Sequence, residues 1–189
     1  MRVIAGTARR LPLKTAPGKD TRPTTDRIKE TLFNMIQDRV YGARFLDLFA
    51  GSGGIGIEAL SRGADRAVFV ENDRRAAACI RENLAFTKLA DRGELLQMDV
   101  MAALGRLSGG RPFDLVFIDP PYHEGWEEQV LTRLRELGLV HKESLVIVEA
   151  AMETSFDFLG GTGFLLQKRK EYKTNAHLFL QLADREAEE

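Results

Sequence analysis

At 189 residues and 21.2 kDa, the chain has the size of one domain with a modest extension, and 44% hydrophobic residues suffice for a substantial core. A single cysteine, Cys79, excludes a disulfide framework within the chain and fits a reducing compartment. The three histidines (His123, His141, His177) have no metal-ligand spacing, and no apolar run has the length of a signal peptide or a membrane span, so a cytoplasmic, metal-free protein is expected.

The formal net charge of −1 hides an uneven distribution. Residues 1–44 hold ten Lys/Arg against four Asp/Glu, a balance of +6, whereas residues 45–189 hold seventeen against twenty-four, a balance of −7. The basic segment reads as a solvated polar face or as a nucleic-acid arm. Within it, Arg2–Ala5 and Leu11–Lys14 form the pattern of a small hairpin. Thr21-Arg22-Pro23-Thr24-Thr25-Asp26 then starts a helix with Ile28, Leu32, Met35 and Ile36 on one face. This extension is assigned residues 1–40, packed on a catalytic domain of residues 41–183, with an acidic tail at 184–189.

Beyond the extension, short apolar runs alternate with helical patterns. Phe45–Phe49, Ala67–Val70, Leu95–Met98, Phe113–Ile118 and Leu145–Val148 read as strands; Gly54–Arg62, Arg74–Lys88, Met101–Leu107 and Trp126–Leu137 read as helices. Cys79 falls in the second of these helices and reads as a buried thiol. Such alternation predicts right-handed βαβ units and an α/β fold with a parallel sheet covered on both faces. At the end, Gly163–Lys168 and Ala176–Leu182 have no helix-length segment between them, so they are expected to form a hairpin that adds an antiparallel strand. Lys168-Arg169-Lys170 with Lys173 makes a second basic cluster there.

Two motifs carry chemistry. Asp47-Leu48-Phe49-Ala50-Gly51-Ser52-Gly53-Gly54-Ile55-Gly56 joins the first core strand to its helix, and Gly51, Gly53 and Gly56 satisfy G-x-G-x-x-G. Glu71 lies twenty residues beyond Gly51, where an acid is expected to hold ribose hydroxyls. Asp47, just before the glycines, disfavours a pyrophosphate and suits a cationic ligand such as the ammonium of a methionine moiety. Asp99, at a third strand end, suits an adenine amine or a plain helix cap. Together the three acids favour S-adenosylmethionine, with Phe49, Ser52, Asn72 and Val100 as further lining candidates.

The second motif, Asp119-Pro120-Pro121-Tyr122, follows the strand Phe113–Ile118. Pro121 lacks an N–H and Pro120 holds Asp119 extended, so the turn is stiff. A carboxylate, backbone carbonyls and an aromatic face there can grip a planar amine; alone, the motif is equally an ordinary rigid turn.

With both motifs in place, the chain resembles the RsmD-type 16S rRNA guanine-N2 methyltransferases. The resemblance rests on Asp47-Leu-Phe-Ala-Gly-Ser-Gly, Ile57-Glu58-Ala59-Leu60-Ser61-Arg62-Gly63-Ala64 and Asp119-Pro-Pro-Tyr122, which many amino-methyltransferases share in part. Arg2-Val3-Ile4-Ala5-Gly6 and Arg22-Pro23-Thr24…Asp26-Arg27…Leu32-Phe33-Asn34 narrow it. One departure is Thr7-Ala8-Arg9-Arg10, where the family commonly carries Gly-Arg followed by Arg or Lys.

The resemblance implies a Rossmann-like class I fold of seven strands, mostly parallel, with an antiparallel last strand. It also implies S-adenosylmethionine as donor, a guanine of small-subunit rRNA or its ribonucleoprotein as acceptor, and a monomeric enzyme. Asp119, Pro120, Pro121 and Tyr122 would then be catalytic, and Arg9, Arg10, Arg22, Thr24 and Arg27, with Lys14, would meet RNA; Arg22 and Thr24 have the alternative of covering the cofactor. An adenine-N6 methyltransferase uses the same amine clamp. A nicotinamide-dependent reductase fits the glycine fingerprint but leaves Asp119-Pro-Pro-Tyr122 without a role. A non-catalytic RNA-binding protein would have no use for intact chemical residues at both motifs.

Overall fold

The structure, a computed structural model, describes residues 1–16 and 26–183. Arg22, Thr24 and the acidic tail therefore lie outside the described residues. Seven strands make one mixed sheet, and the chain packs as two compact units, Met1–Asp99 and Val100–Glu189. Among the described residues, no helix is long and apolar enough to cross a membrane.

The first unit opens with α1 (Asp26–Val40) and continues through β1 (Arg44–Leu48), α2 (Gly54–Ser61), β2 (Arg66–Val70), α3 (Arg74–Phe86) and β3 (Gly93–Leu96). β2 pairs in parallel with both β1 and β3, so the order is β3-β2-β1. Four of the five residues in β1 and in β2 are buried on both faces, as expected of parallel strands covered by helices. The second unit runs α4 (Val100–Leu107), β4 (Phe113–Ile118), α5 (Trp126–Glu136), β5 (Val140–Ala151), α6 (Leu159–Thr162), β6 (Phe164–Glu171) and β7 (Asn175–Leu182). β4 and β5 are parallel; β7 is antiparallel to both β5 and β6. The expected terminal hairpin is therefore present, with β7 the reversed strand.

Three differences have physical causes. β5 extends well beyond Leu145–Val148 because polar His141–Ser144 also join it, and Ser144 Oγ donates to the Phe113 carbonyl of β4. Cys79 is half-buried rather than buried, and desolvation raises its thiol pKa, which keeps it protonated and unreactive. The expected N-terminal hairpin is present but short: one bridge, Arg2 with Pro12, is flanked by the Val3 and Leu13 amides, which donate to the Leu11 and Met1 carbonyls at 3.0 Å.

What holds that segment is side chains of α2. Glu58, fully buried, accepts the amides of Ile4 (2.8 Å) and Ala5 (3.0 Å). It also pairs with Lys29 Nζ of α1 (3.4 Å) and Arg62 Nε (2.7 Å). Lys29, equally buried, donates to the Arg2 carbonyl at 2.6 Å; desolvation pulls its ammonium below the usual lysine range while Glu58 pulls it back. Three residues on, Ser61 Oγ accepts the Ala8 amide and donates to the Ala5 carbonyl, and the Ser61 carbonyl accepts the Thr7 amide. Gly6 has φ +84°, and a Cβ there would lie 1.8 Å from the Ser61 carbonyl oxygen. Only glycine fits so close an approach.

Removing Glu58 strands two buried cations and two buried amides at once. Glu58→Ala is expected to cost about 3–5 kcal/mol, read as a lowered denaturation midpoint in urea. A loss below about 1 kcal/mol would show that water reaches the cluster.

Candidate active site

The glycine loop begins where β1 ends. Phe49 takes a left-handed φ of +59°, Gly51 +56° and Gly53 +81°, so the chain turns sharply three times between strand and helix. A non-glycine residue held there marks local strain of the kind stored at ligand sites. The Gly53 amide donates to the Ala50 carbonyl and the Ile57 amide to Gly53, which closes the turn onto α2.

The three glycines do different work. A Cβ on Gly51 would meet nothing within 4 Å, so its backbone faces open space that a ligand can enter. One on Gly56 would lie 2.3 Å from Phe69 Cε1 of β2, so that glycine lets helix and strand pack closely. Gly53 is tight as well, with a Cβ falling 3.2 Å from Ile80. Gly56 thus has the helix–strand packing role of the fingerprint's third glycine, whereas the open approach lies at the first, Gly51, rather than at the second.

Two acids hold this loop. α2 has no side-chain cap of its own; Asp47, reaching from β1, accepts the Gly56 amide through Oδ2 at 2.9 Å. Glu71, at the end of β2, accepts the Gly51 amide at 2.8 Å through Oε2 and the Asp73 amide at 2.7 Å through Oε1. Its role therefore includes pinning the loop, which the ribose reading alone did not anticipate. Asp47 is nearly inaccessible, and desolvation raises its carboxyl pKa to about 8; the nearby Glu71 charge pushes the same way, and the Gly56 hydrogen bond opposes it.

Asn83 of α3 is the site residue that sequence reasoning missed. Its side chain pairs with the Lys14 backbone as a strand would, accepting the amide at 2.8 Å and donating to the carbonyl at 3.0 Å, and it also donates to the Ser52 carbonyl. The Ala16 amide reaches Ser52 Oγ at 3.4 Å. The N-terminal segment is thereby tied to the glycine loop. The available signal was a polar residue on the apolar face formed by Ala76, Ala77, Ile80 and Leu84.

Asn72 is exposed just after β2, and Asp99 is exposed immediately ahead of α4, whose first residue, Val100, is buried. Arg9, Arg10 and Arg27 are exposed, with Arg10 in a left-handed turn (φ +72°). Lys14 is paired with Glu82 on the surface, as Arg2 is with Asp26.

In the second unit, Asp119-Pro120-Pro121-Tyr122 begins at the carboxyl end of β4. Asp119 is half-buried, Pro120 buried, Pro121 exposed, and Tyr122 39% exposed. His123 lies edge-on to Tyr122, centroids 6.4 Å apart, and adopts φ +66°; Gly125 at φ +69° then starts α5. Behind this edge Glu149 of β5 is buried and holds Asn175 and, at 3.0 Å, the fully buried His177 of β7.

Comparison with known proteins agrees with this geometry. Residues 1–181 match the family described as conserved hypothetical protein 95. The Bacillus subtilis protein YlbH is 38% identical over 172 residues, 90% of this chain and 92% of that one. Ribosomal RNA small subunit methyltransferase D of Escherichia coli is 39% identical over 155 residues, 81% of this chain and 76% of that one. The solved structure of yhhF from Escherichia coli superposes with a TM-score of 0.84 at 34% identity, covering 98% and 99% of the two chains. The chain belongs to this family, the RsmD-type methyltransferases, and has their Rossmann-like fold. Fold and family imply S-adenosylmethionine as cofactor, and a buried carboxylate beside an open glycine backbone fits a cationic nucleoside.

Asp47 makes stability depend on pH. With a carboxyl pKa of 3.8 in an exposed chain and about 8 in the fold, the folded protein keeps this proton across pH 4–8 while the unfolded chain has lost it. The folded state binds more protons, so this group's contribution falls as pH rises through that window. Asp47→Asn should remove the dependence: its urea stability relative to wild type becomes more favourable from pH 6 to pH 8.5. Parallel curves would disprove the shift.

Proposed function

We propose that the chain transfers a methyl group from S-adenosylmethionine to the exocyclic N2 amine of a guanine in small-subunit rRNA. The observation that carries this reading is the stiff Asp119-Pro120-Pro121-Tyr122 turn at the carboxyl end of β4, in a chain 39% identical to a ribosomal RNA small subunit methyltransferase. β1 and β4 both deliver their motifs at strand carboxyl ends, where ligands bind in open α/β sheets.

The amine of guanine is conjugated with its ring, so its lone pair is a weak nucleophile. The Asp119 carboxylate and the Pro120 carbonyl accept its two N–H bonds, turning the lone pair out of the ring plane and stabilising positive charge as it develops on nitrogen. Tyr122 stacks on the base, which has to be unpaired to reach it. Asp47, in its ionised form, pairs with the ammonium of the methionine moiety; Glu71 accepts from ribose hydroxyls while still pinning Gly51. When bound, S-adenosylmethionine supplies an electrophilic methyl carbon on sulfonium, so the N–C bond forms as the C–S bond breaks and the electron pair leaves with sulfur. The cationic nitrogen then loses its proton to any available acceptor.

The exposed guanidinium groups of Arg9, Arg10 and Arg27 meet RNA phosphates and position the substrate without reading its sequence. Their segment is fastened to α2 and α3, so charge is delivered on a rigid support.

Two measurements test the proposal. Purified protein with labelled S-adenosylmethionine and unmodified small-subunit rRNA, naked or as ribonucleoprotein, should yield N2-methylguanosine on nuclease digestion; N6-methyladenosine would refute the guanine assignment. Asp119→Ala should lower kcat by at least about 100-fold with cofactor affinity nearly unchanged, and equal loss of both would contradict the division of roles. For the arm, the doubly substituted Arg9→Ala, Arg10→Ala protein should bind RNA more weakly at low salt, with a slope of log K against log salt shallower by about 1.4. An unchanged slope would remove these arginines from the interface.

A further inference from the structure

The clamp holds an amine, and adenine carries one too. Discrimination therefore needs groups that read the rest of the base edge. A cavity of about 300 Å³ in the second unit supplies them, lined by His123, Glu127, Glu128, Thr154, Ser155 and Phe158. It begins with His123, the residue whose ring touches Tyr122, so its wall continues the wall of the clamp.

Glu127, in the first turn of α5, is only 3% exposed, and its Oε1 is buried with no hydrogen-bond partner. Thr154, in the segment after β5, has a buried Oγ1 in the same condition. Unsatisfied buried oxygens are rare and costly, about 1–3 kcal/mol each. The two residues that carry these oxygens both line the one cavity, where a ligand would complete their hydrogen bonding once the side chains turn toward it. Phe158, tilted against Phe156 with centroids 5.2 Å apart, gives the cavity an aromatic wall.

We propose that this cavity receives the Watson–Crick edge of the target base, with Glu127 accepting the guanine N1–H and the Thr154 hydroxyl donating to O6. This rests on the guanine-N2 reading and deepens it by naming the specificity residues. Guanine presents a donor at N1, an acceptor at O6 and the amine at position 2. Adenine, held in the clamp by its position-6 amine, presents a lone pair at N1, which a carboxylate repels, and only C2–H to the hydroxyl. Glu127 thus accepts one base and rejects the other, a task that Asp119 and Pro120 cannot perform.

The test uses RNA carrying either guanosine or 2-aminopurine ribonucleoside at the nucleotide that wild type methylates. 2-Aminopurine keeps the amine at position 2 but has a bare N1 and no O6. Wild type should prefer guanosine in kcat/KM by about 10- to 100-fold. Glu127→Gln, whose amide can donate to a bare N1, should bring the two substrates within about threefold, with S-adenosylmethionine affinity unchanged. If that variant loses cofactor binding through misfolding, Thr154→Val decides, since loss of the O6 contact should also shrink the preference. An undiminished preference in a folded variant overturns the proposal while leaving the guanine reading standing. Production of N6-methyladenosine by wild type would overturn both.

Discussion

Everything at the cofactor end of the first unit depends on one buried carboxylate, Glu58. It sits on α2 one turn beyond the glycine loop and gathers two backbone amides, a lysine and an arginine around itself. Ions so deeply buried contribute little net stability compared with a well-packed apolar cluster. What they contribute is position. A carboxylate that must satisfy four donors tolerates only one arrangement of the N-terminal segment, α1 and α2. From there the segment runs to Asn83, and Asn83 in turn grips Ser52 of the glycine loop. The basic arm and the cofactor loop are thus fixed on one framework.

The glycine loop is held by acids under opposing demands. Asp47 must accept the Gly56 amide, yet burial and the charge of Glu71 oppose its ionisation. A neutral carboxylic acid still accepts that hydrogen bond, so the fold survives without the charge. A cationic ligand reverses the balance, because pairing with it offsets desolvation. The site is therefore tuned against anions and poised for a cation, the opposite of a helix N-terminus that binds pyrophosphate. This electrostatic preference separates a methyltransferase from a nicotinamide enzyme that shares the same glycines.

Much of this was legible in the sequence because strand and helix follow from apolar periodicity. Phe113–Ile118 was delimited correctly, since every residue but Asp114 is apolar and the proline pair ends the run. Polar stretches were not legible. His141–Ser144 lie in a register irregularity between the Val140 and Leu145 pairings, held by the Ser144 hydroxyl, and nothing in their polarity announces a strand. The N-terminal residues do pair with one another as a short hairpin, but what the alternation could not announce is their second set of partners, side chains of α2 and α3 distant in sequence. Glu71 was legible as an acid at the end of β2, while its grip on the Gly51 amide was invisible. One of the segments that narrowed the family, Arg2–Gly6, is held by Glu58 and Ser61 of another matching segment, so that part of the resemblance encodes packing of the arm.

If Asp119-Pro120-Pro121-Tyr122 acts as the proposed clamp, its two prolines have a consequence for base choice. Stiffness at Asp119-Pro120-Pro121 holds the amine acceptors in one place, so the clamp cannot adjust to a base presented at a different angle. Guanine and adenine carry their amines at different positions of the ring, and a rigid clamp swings the remainder of each base in different directions. The wall beside the clamp then meets different edges. A segment whose left-handed turns at His123 and Gly125 lead directly into buried Glu127 sets that wall at a fixed distance along the chain from Asp119. Rigidity of the clamp and chemistry of the wall act together: the first converts amine position into base orientation, and the second tests the edge so presented.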